Sequence, residues 1–343
     1  MTVVEATRTM PIEYDSTVQE ARFHSPLEGF ELDTVEIEIR EDPLTDRQTR
    51  IVPEVFPRPD EPVDLETFAD GEGCFFCPDS VQEATPTYPD FVGVDRGSVG
   101  EAVSFPNLFP YAKHSNVVVL TEDHVKPLGE FTADVLEDGL ACALEYLQAV
   151  TAHDDEVAFA SINMNLLPSA GSSVVHPHLQ TMADDRGTNE VRRIVRRERE
   201  YYDDHGRTYW AELLEEERSG PRHVGSTGDV EWIAPFAPAH QWHVAGVTDV
   251  TGIPDPDAEV VGDLAAGLEN VLEYYADLGL TGHNFSLLLT PDEPASPAVM
   301  DVVARPALEE YYVSDAFFFT TLHDERVVDV APEEYAPEVG ETF

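Results

Sequence analysis

Twice along the chain the apolar positions follow the same order: a short β-branched run, an amphipathic helix, and a returning strand. Residues 116–120 (NVVVL) are a compact apolar run and predict a buried strand. Residues 130–150 then carry Val135, Leu136, Leu140, Leu144 and Leu147 at helical spacing, with Thr132 placed to cap the helix. Residues 157–165 (VAFASINMN) return as a strand. In the second half, residues 243–250 (HVAGVTDV) read as a strand. A helix over residues 257–278 follows, with Val261, Leu264, Leu268, Val271, Leu272 and Tyr275 on its buried face and Gly279 at its end. Residues 284–289 (NFSLLL) close the unit. The two units, 116–165 and 243–289, are nearly equal in length, which points to an old duplication; the alternative is two occurrences of a common strand–helix–strand unit. The first hundred residues are proline-rich and irregular, with strand-like pieces such as 35–39.

Composition changes the picture in one respect. At 343 residues with 42% hydrophobic and 9% aromatic content, the chain is globular and large enough for two domains or a pseudo-symmetric double one. Its 68 acids against 20 lysines and arginines give a formal net charge of −48, and the acids are spread along the whole length. Acids dispersed on a globular pattern suit a solvated shell in high salt, where self-repulsion is screened. The expectation is a halophilic, cytoplasmic protein. The charge argues against nucleic acid and anionic membrane as partners, since both require basic patches. Residues 1–22 hold no continuous apolar run of the signal-peptide kind, and no stretch has the length of a membrane helix. Three cysteines preclude a disulfide framework.

The chemistry concentrates in His176-Pro177-His178-Leu179-Gln180. In an extended segment both imidazoles face one way, and Pro177 favours that extension. Upstream, Ser169-Ala170-Gly171-Ser172-Ser173 is a small-residue loop whose amides can approach a phosphate. Bare amides beside an imidazole suit nucleophilic chemistry at phosphorus. Cys74 and Cys77 have the spacing of a metal knuckle; a redox pair or two small core residues are the alternatives. His114, His124 and His176 are candidates for the remaining ligands, and His124 directly follows a rigid strand. A set of Cys74, Cys77, His124 and His176 would leave the metal no open position and make it structural. Arg192, Arg193, Arg196 and Arg197 fall as i, i+4 pairs on one helix. Ion pairing with Glu198, Glu200 and the acidic surroundings is favoured over a positive lip for phosphorylated substrates. Cys142 is expected in the core, and Trp210, Trp232 and Trp242 belong to no legible site.

These motifs together resemble galactose-1-phosphate uridylyltransferase, the transferase branch of the histidine triad superfamily. Asn165, Gly171, Ser173, His176-Pro177-His178 and Gln180 match that family's nucleotide-binding and nucleophile segment, and Cys74-Phe75-Phe76-Cys77 its CxxC knuckle. Residues 116–128 (NVVVLTEDHVKPL) resemble the strand bearing the third zinc ligand, here His124. Pro43-Leu44-Thr45-Asp46 resembles an N-terminal family segment, Arg58 falls where a phosphate-binding arginine is expected, and Asn107 with Phe109 resembles the uridine-side Asn-x-Phe. The similarity is specific over residues 40–200 and weaker to about 335.

The resemblance implies an α+β fold of two histidine-triad-like half-domains, each a mainly antiparallel sheet with packed helices. Residues 1–205 would form the catalytic half with the zinc knuckle, and residues 206–343 a half without catalytic histidines. His178 would be the nucleophile carrying a covalent nucleotidyl group, and Gln180 would bond the phosphoryl oxygens. His176 would ligate a structural Zn2+ and orient the nucleophile through its carbonyl. Gly171, Ser172 and Ser173 would bind phosphates. The implied reaction moves a nucleoside monophosphate, UMP by the family pattern, between a nucleoside diphosphate hexose and a hexose 1-phosphate, with a homodimer as the implied assembly. The alternatives are a phosphorylase of ADP-sugars or dinucleoside polyphosphates, and a non-catalytic nucleotide-binding zinc protein. Several positions depart from the family. Val55 replaces its first phosphate arginine. Thr290, Asp301 and Val303 stand where some members place histidines for an additional metal, so no such site is expected. The segment 315–326 lacks the Lys-Phe and Tyr-Glu pairs of the substrate loop, which predicts broader or altered sugar acceptance.

Overall fold

The computed structural model describes residues 12–26, 29–53, 62–291, 293–307 and 317–343; Val55, Arg58 and Asp315 lie outside the described residues. In chain order the elements are β1 (Asp15–Ser25), β2 (Glu31–Glu41), β3 (Gln48–Ile51), α1 (Pro78–Ala84), β4 (Gly97–Val99), β5 (Ala102–Pro106), β6 (His114–Val119), α2 (Ala133–His153), β7 (Phe159–Asn165) and β8 (His178–Asp184). There follow α3 (Asn189–His205), α4 (Tyr209–Glu217), β9 (His223–Thr227), β10 (Val230–Ile233), β11 (Val244–Thr251), α5 (Glu259–Asp277), β12 (Gly282–Leu289), β13 (Pro297–Arg305), β14 (Arg326–Val328) and α6 (Pro332–Val339). The fold is α+β, with both expected strand–helix–strand units in place.

The strands build one ten-stranded antiparallel sheet in the order β4-β5-β6-β8-β7-β12-β13-β11-β10-β9, and a smaller sheet β1-β2-β3-β14. The large sheet is palindromic: from its centre outwards, β7-β8-β6-β5-β4 on one side answers β12-β13-β11-β10-β9 on the other. The halves join without a break, since β7 pairs with β12 from Ala160↔Leu289 to Asn165↔Asn284.

Strand alternation sorts the side chains between the two faces. One face supplies Val118, Leu179, Ile162, Met164, Phe285, Leu287, Met300 and Val302 to the main core. The apolar stripes of α2 and α5 pack against this face, as their spacing predicts. Thr132 caps α2 by accepting from the Val135 amide, and Cys142 is fully buried within it.

The opposite face is covered at its two ends only. On the first half, Phe76 and Val81 of the knuckle region pack with Phe105, Val117 and Val119. On the second, Leu44 and the α4 residues Tyr209, Leu213 and Leu214 pack on Ile233, Ala245, Val247 and Val299. Between these covers the face is polar, and the site lies there.

The N-terminal residues are more regular than their proline content suggests, because residues 31–41 (ELDTVEIEIRE) alternate and pair along their whole length with β1. They also engage the second half. Arg40 pairs with Glu333 at 2.9 Å, and the Tyr14 hydroxyl donates to Glu217 at 2.8 Å. Pro43-Leu44-Thr45-Asp46 thus contributes to second-half packing. No helix among the described residues is long and apolar enough to cross a membrane.

Candidate active site and metal centre

The chain makes a tight excursion between Asn165, the last residue of β7, and His178, the first of β8. The β7–β8 pairing runs up to Met164↔Leu179, so Asn165 and His178 are the next residues on the two strands, and the small-residue loop connects them. The loop is strained. Leu167 adopts φ 70°, ψ 163°, a region that side chains other than glycine rarely occupy. Gly171 takes φ 90°, where the left-handed turn requires glycine.

The loop's amides are partly spent on this turn. Those of Ala170 and Ser172 donate to the Leu167 carbonyl, and that of Gly171 to Pro168. The Ser172 hydroxyl donates to the Val174 carbonyl at 2.6 Å. Ser173 is exposed, and neither its amide nor its hydroxyl has a partner among the described residues. Of the three loop residues expected at phosphates, Ser173 is the one with donors available, whereas Gly171 and Ser172 shape the loop.

His178 is 8% exposed. Its Nδ1–H donates to the His176 carbonyl at 2.8 Å, which leaves the Nε2 lone pair as the reactive end. Burial pushes its pKa below the ordinary histidine value, with the bond to His176 opposing, so the ring is neutral near pH 7. The Phe76 ring stands edge-on to it at 5.1 Å. Gln180 lies two residues along β8 on the same face.

His176 is fully buried, and its Nε2–H donates to the Thr121 carbonyl at 2.8 Å. This fixes the tautomer and points a bare Nδ1 at the knuckle. Nδ1 lies 3.8 Å from Cys74 Sγ and 3.6 Å from Cys77 Sγ, and His124 Nδ1 is 3.5 Å from Cys77 Sγ. All four ligand atoms fall within 4.8 Å of one another. Zinc bonds of about 2.3 Å to sulfur and 2.0–2.1 Å to nitrogen, at tetrahedral angles, separate sulfur from nitrogen by about 3.6 Å. The set therefore fits a tetrahedral metal ion. Burial and the neighbouring Cys74 sulfur push the Cys77 thiol up to about 11, the expected state of two adjacent thiols with no cation to ionise them. Gly71 leaves the necessary space: a Cβ there would stand 3.3 Å from the His124 ring and 3.4 Å from Cys77 Sγ. His114 is engaged elsewhere, with Nε2 bonded to Asp154 at 2.8 Å.

The structure does not bring Asn107 and Phe109 to His178. The Asn107 amide bonds to Ser115, whose partner in the sheet is Met182, four residues or about 13 Å along β8 from His178. Asn107 Oδ1 accepts from the Phe109 amide in a local turn, and the Phe109 ring is 77% exposed. The arginines of α3 are largely ion-paired: Arg193 with Asp324 at 2.7 Å, Arg197 with Asp46 and Glu200, Arg196 with Glu200 at 3.9 Å. Arg192 bonds to Asn189, and Glu198, expected among the ion-pair partners, is instead buried against Trp210 and Ser296.

Two site residues escaped sequence reasoning. Asn284 of β12 donates to Asn165 Oδ1 at 2.6 Å and to the Ala170 carbonyl at 3.0 Å. Arg305, 8% exposed at the end of β13, donates to Asn284 Oδ1 and to Ala170. The second half thus braces the loop of the first. A lone arginine ending an apolar strand of so acidic a chain was the available signal.

The site's frame is thus two paired half-sheets, one His-x-His strand, and a knuckle behind it. The chain has the fold of galactose-1-phosphate uridylyltransferase-like proteins. It is similar to an ADP-glucose phosphorylase of Arabidopsis thaliana with bound ADP-glucose, with a TM-score of 0.68 and 18% identity over 89% of this chain and 97% of that one. A GalT-like protein of the same plant gives 0.67 and 18% over 89% and 98%. A uridylyltransferase gives 0.64 and 20% over 89% and 97%. No protein-family model matches the chain. The chain belongs to the family of an uncharacterized protein of Archaeoglobus fulgidus, 33% identical over 309 residues, 90% of this chain and 92% of the relative.

Proposed function

We propose that the protein is a nucleotidyltransferase that moves a nucleoside monophosphate, UMP in the first reading, between a nucleoside diphosphate hexose and a hexose 1-phosphate. The observation that carries this is the His178 ring, pinned through Nδ1 to the His176 carbonyl with Nε2 unprotonated beside the Asn165–Ser173 loop. The Nε2 lone pair attacks the α-phosphorus. The bond from phosphorus to the bridging oxygen breaks, and the hexose 1-phosphate leaves with the electron pair. A phosphate oxygen of the acceptor then attacks the nucleotidyl-histidine, the P–N bond breaks, and its pair returns to Nε2. The His176 carbonyl holds the ring in place and stabilises its positive charge between the steps. Ser173 and Gln180 supply uncharged donors to the phosphoryl oxygens.

Cys74, Cys77, His124 and His176 hold a structural Zn2+ in this reading, which ties the knuckle to the nucleophile strand. Residues 1–205 form the half that bears the chemistry and 206–343 the half that braces it. The setting is UDP-sugar or galactose metabolism in a halophilic cytoplasm, with the chain acting as a homodimer. Asn107 and Phe109 are the uridine-side contacts in this reading.

The second reading is an ADP-sugar phosphorylase, supported by the likeness to the ADP-glucose-bound plant enzyme and by the missing family pairs in segment 315–326. Intact-mass measurement after incubation with UDP-glucose or ADP-glucose in molar KCl tests both readings. An adduct of one nucleoside monophosphate is expected with the correct donor and is absent from His178→Ala. Discharge by hexose 1-phosphate marks the transferase, and discharge by inorganic phosphate alone marks the phosphorylase. Turnover without any adduct rejects the covalent mechanism.

A further inference from the structure

Asn165 of β7 and Asn284 of β12 stand directly opposite each other where the two halves join. An asparagine amide has two unlike ends, Oδ1 accepting and Nδ2 donating, and its neighbours decide which end points where. The neighbours of Asn284 allow one answer. On one side lies the buried Arg305 guanidinium, which can only donate, and Asn284 Oδ1 accepts from it. On the other lie the Met164 and Ala170 carbonyls, which can only accept, and Asn284 Nδ2 donates to them at 3.3 and 3.0 Å. Reversing the amide would set donor against guanidinium and acceptor against both carbonyls. The bond to the guanidinium is charge-assisted, which makes reversal costlier still.

This orientation is passed on. Asn284 Nδ2 also reaches Asn165 at 2.6 Å, so the Asn165 atom that it meets is the acceptor, Oδ1. Asn165 Nδ2 is thereby turned away from Asn284 and has no partner among the described residues; the side chain is exposed. Strand alternation places it on the face that carries the nucleophile. Asn163, two residues back on β7, stands directly opposite Gln180, and His178 lies two residues from Gln180 along β8. The series therefore ends in a bare N–H donor on the His178 face. The second half reaches the site as a direction of hydrogen bonding: the guanidinium donates to one amide, and that amide donates to the next. Bonds in such a series polarise one another.

We propose that Asn284, held by Arg305, is a positioning residue that turns the donor end of the Asn165 amide toward the phosphoryl group at His178. The inference rests on the transfer reading above and gives the half without catalytic histidines a task in it. With the amide reversed, Asn165 would meet the phosphate oxygens with Oδ1, acceptor against acceptor.

The test is a double-mutant cycle on the rate of nucleotidyl-His178 formation, in the full chain in molar KCl, with UDP-glucose or ADP-glucose as donor. Asn284→Asp keeps the shape but accepts where asparagine donates. It pairs with Arg305, accepts from Asn165 Nδ2 and turns Asn165 Oδ1 toward the phosphate. In the wild-type background kcat/KM for adduct formation should fall at least about tenfold, the scale of one hydrogen bond lost. In an Asn165→Ala background, with no amide left to turn, the same change should cost less than about twofold. An equal loss in both backgrounds overturns the proposal, because a merely structural role in the loop would act whatever stands at position 165; no loss in either overturns it too. A second measurement needs no substitution on β12. In His178→Ala protein carrying isotopically labelled asparagine, the Asn165 side-chain amide, assigned by its absence from Asn165→Asp, should shift downfield when either sugar nucleotide saturates the site. A resonance unmoved by bound nucleotide overturns the proposal. If wild type forms no adduct with either donor, the transfer reading fails, and the same cycle is read in the dissociation constants of the two sugar nucleotides, with the same outcomes. No binding to wild type overturns the proposal as well.

Discussion

Replacing Glu198 with glutamine should stabilise the protein at pH 8 and leave it unchanged in mild acid. Glu198 is 2% exposed, with the Trp210 indole donating to Oε1 at 2.5 Å and the Ser296 hydroxyl to Oε2. Burial pushes its carboxyl up to about 7, the Glu293 and Asp301 carboxylates add to the rise, and the two donors oppose it. In the unfolded chain the same group loses its proton near 4.5. Between these values folding takes up a proton, so stability falls as pH rises through the window and the penalty is complete above 7. Raising a carboxyl from 4.5 to about 7 corresponds to about 3.4 kcal/mol. Glutamine can accept from Trp210 and donate to Ser296, so it keeps both bonds and removes the charge. Glu198→Gln is therefore expected to gain about 2–3 kcal/mol at pH 8 and close to none at pH 4.5. Urea titrations followed by tryptophan fluorescence in molar KCl would measure this; urea, unlike guanidinium, leaves the ionic strength fixed. The other carboxyls titrate equally in both proteins and cancel in the difference. A variant whose stability relative to wild type is the same at both pH values would show that Glu198 stays ionised in the fold.

Metal analysis should give about one zinc per chain, with absorption spectroscopy placing sulfur near 2.3 Å; Cys74→Ser should release it and lower the melting temperature, and a metal-free wild type with full stability would refute the centre. The melting temperature of the wild type should climb steeply from low to molar KCl, because screening relieves repulsion among acids that leave a net charge of −48. A salt-insensitive transition would remove the halophile reading.

The parts of the site that carry recognisable motifs were legible. Cys74, Cys77, His124 and His176 could be assembled from a motif and a strand end, and the structure brings their ligand atoms together. Both long helices and their returning strands followed from periodicity, with boundaries displaced by up to three residues. What escaped depends on pairings distant in sequence. Asn284 bonds to Asn165 across the centre of the sheet, and Asp301 stands level with Gln180 only through the registers of three strand pairs. No periodicity within one segment reports such a register. The hairpin β1–β2 was under-read for another reason: most of its side chains are exposed, so its alternation carries little hydrophobic contrast. His283 was passed over because burial in the core, which pushes it to about 3, leaves no motif behind.

The palindromic sheet bears on how the two sides of the molecule could become different. In an assembly of two identical chains every substitution is made twice, so a strand cannot be a nucleophile strand on one side and an acid-bearing strand on the other. Here the counterpart of β8, with His178, is β13, with Asp301, and both belong to one polypeptide. Covalent continuity lets them diverge independently while the β7–β12 pairing keeps them a fixed distance apart. The joined sheet acts as a ruler between imidazole and carboxylate, and its length is set by hydrogen-bonded strands rather than by a hinge.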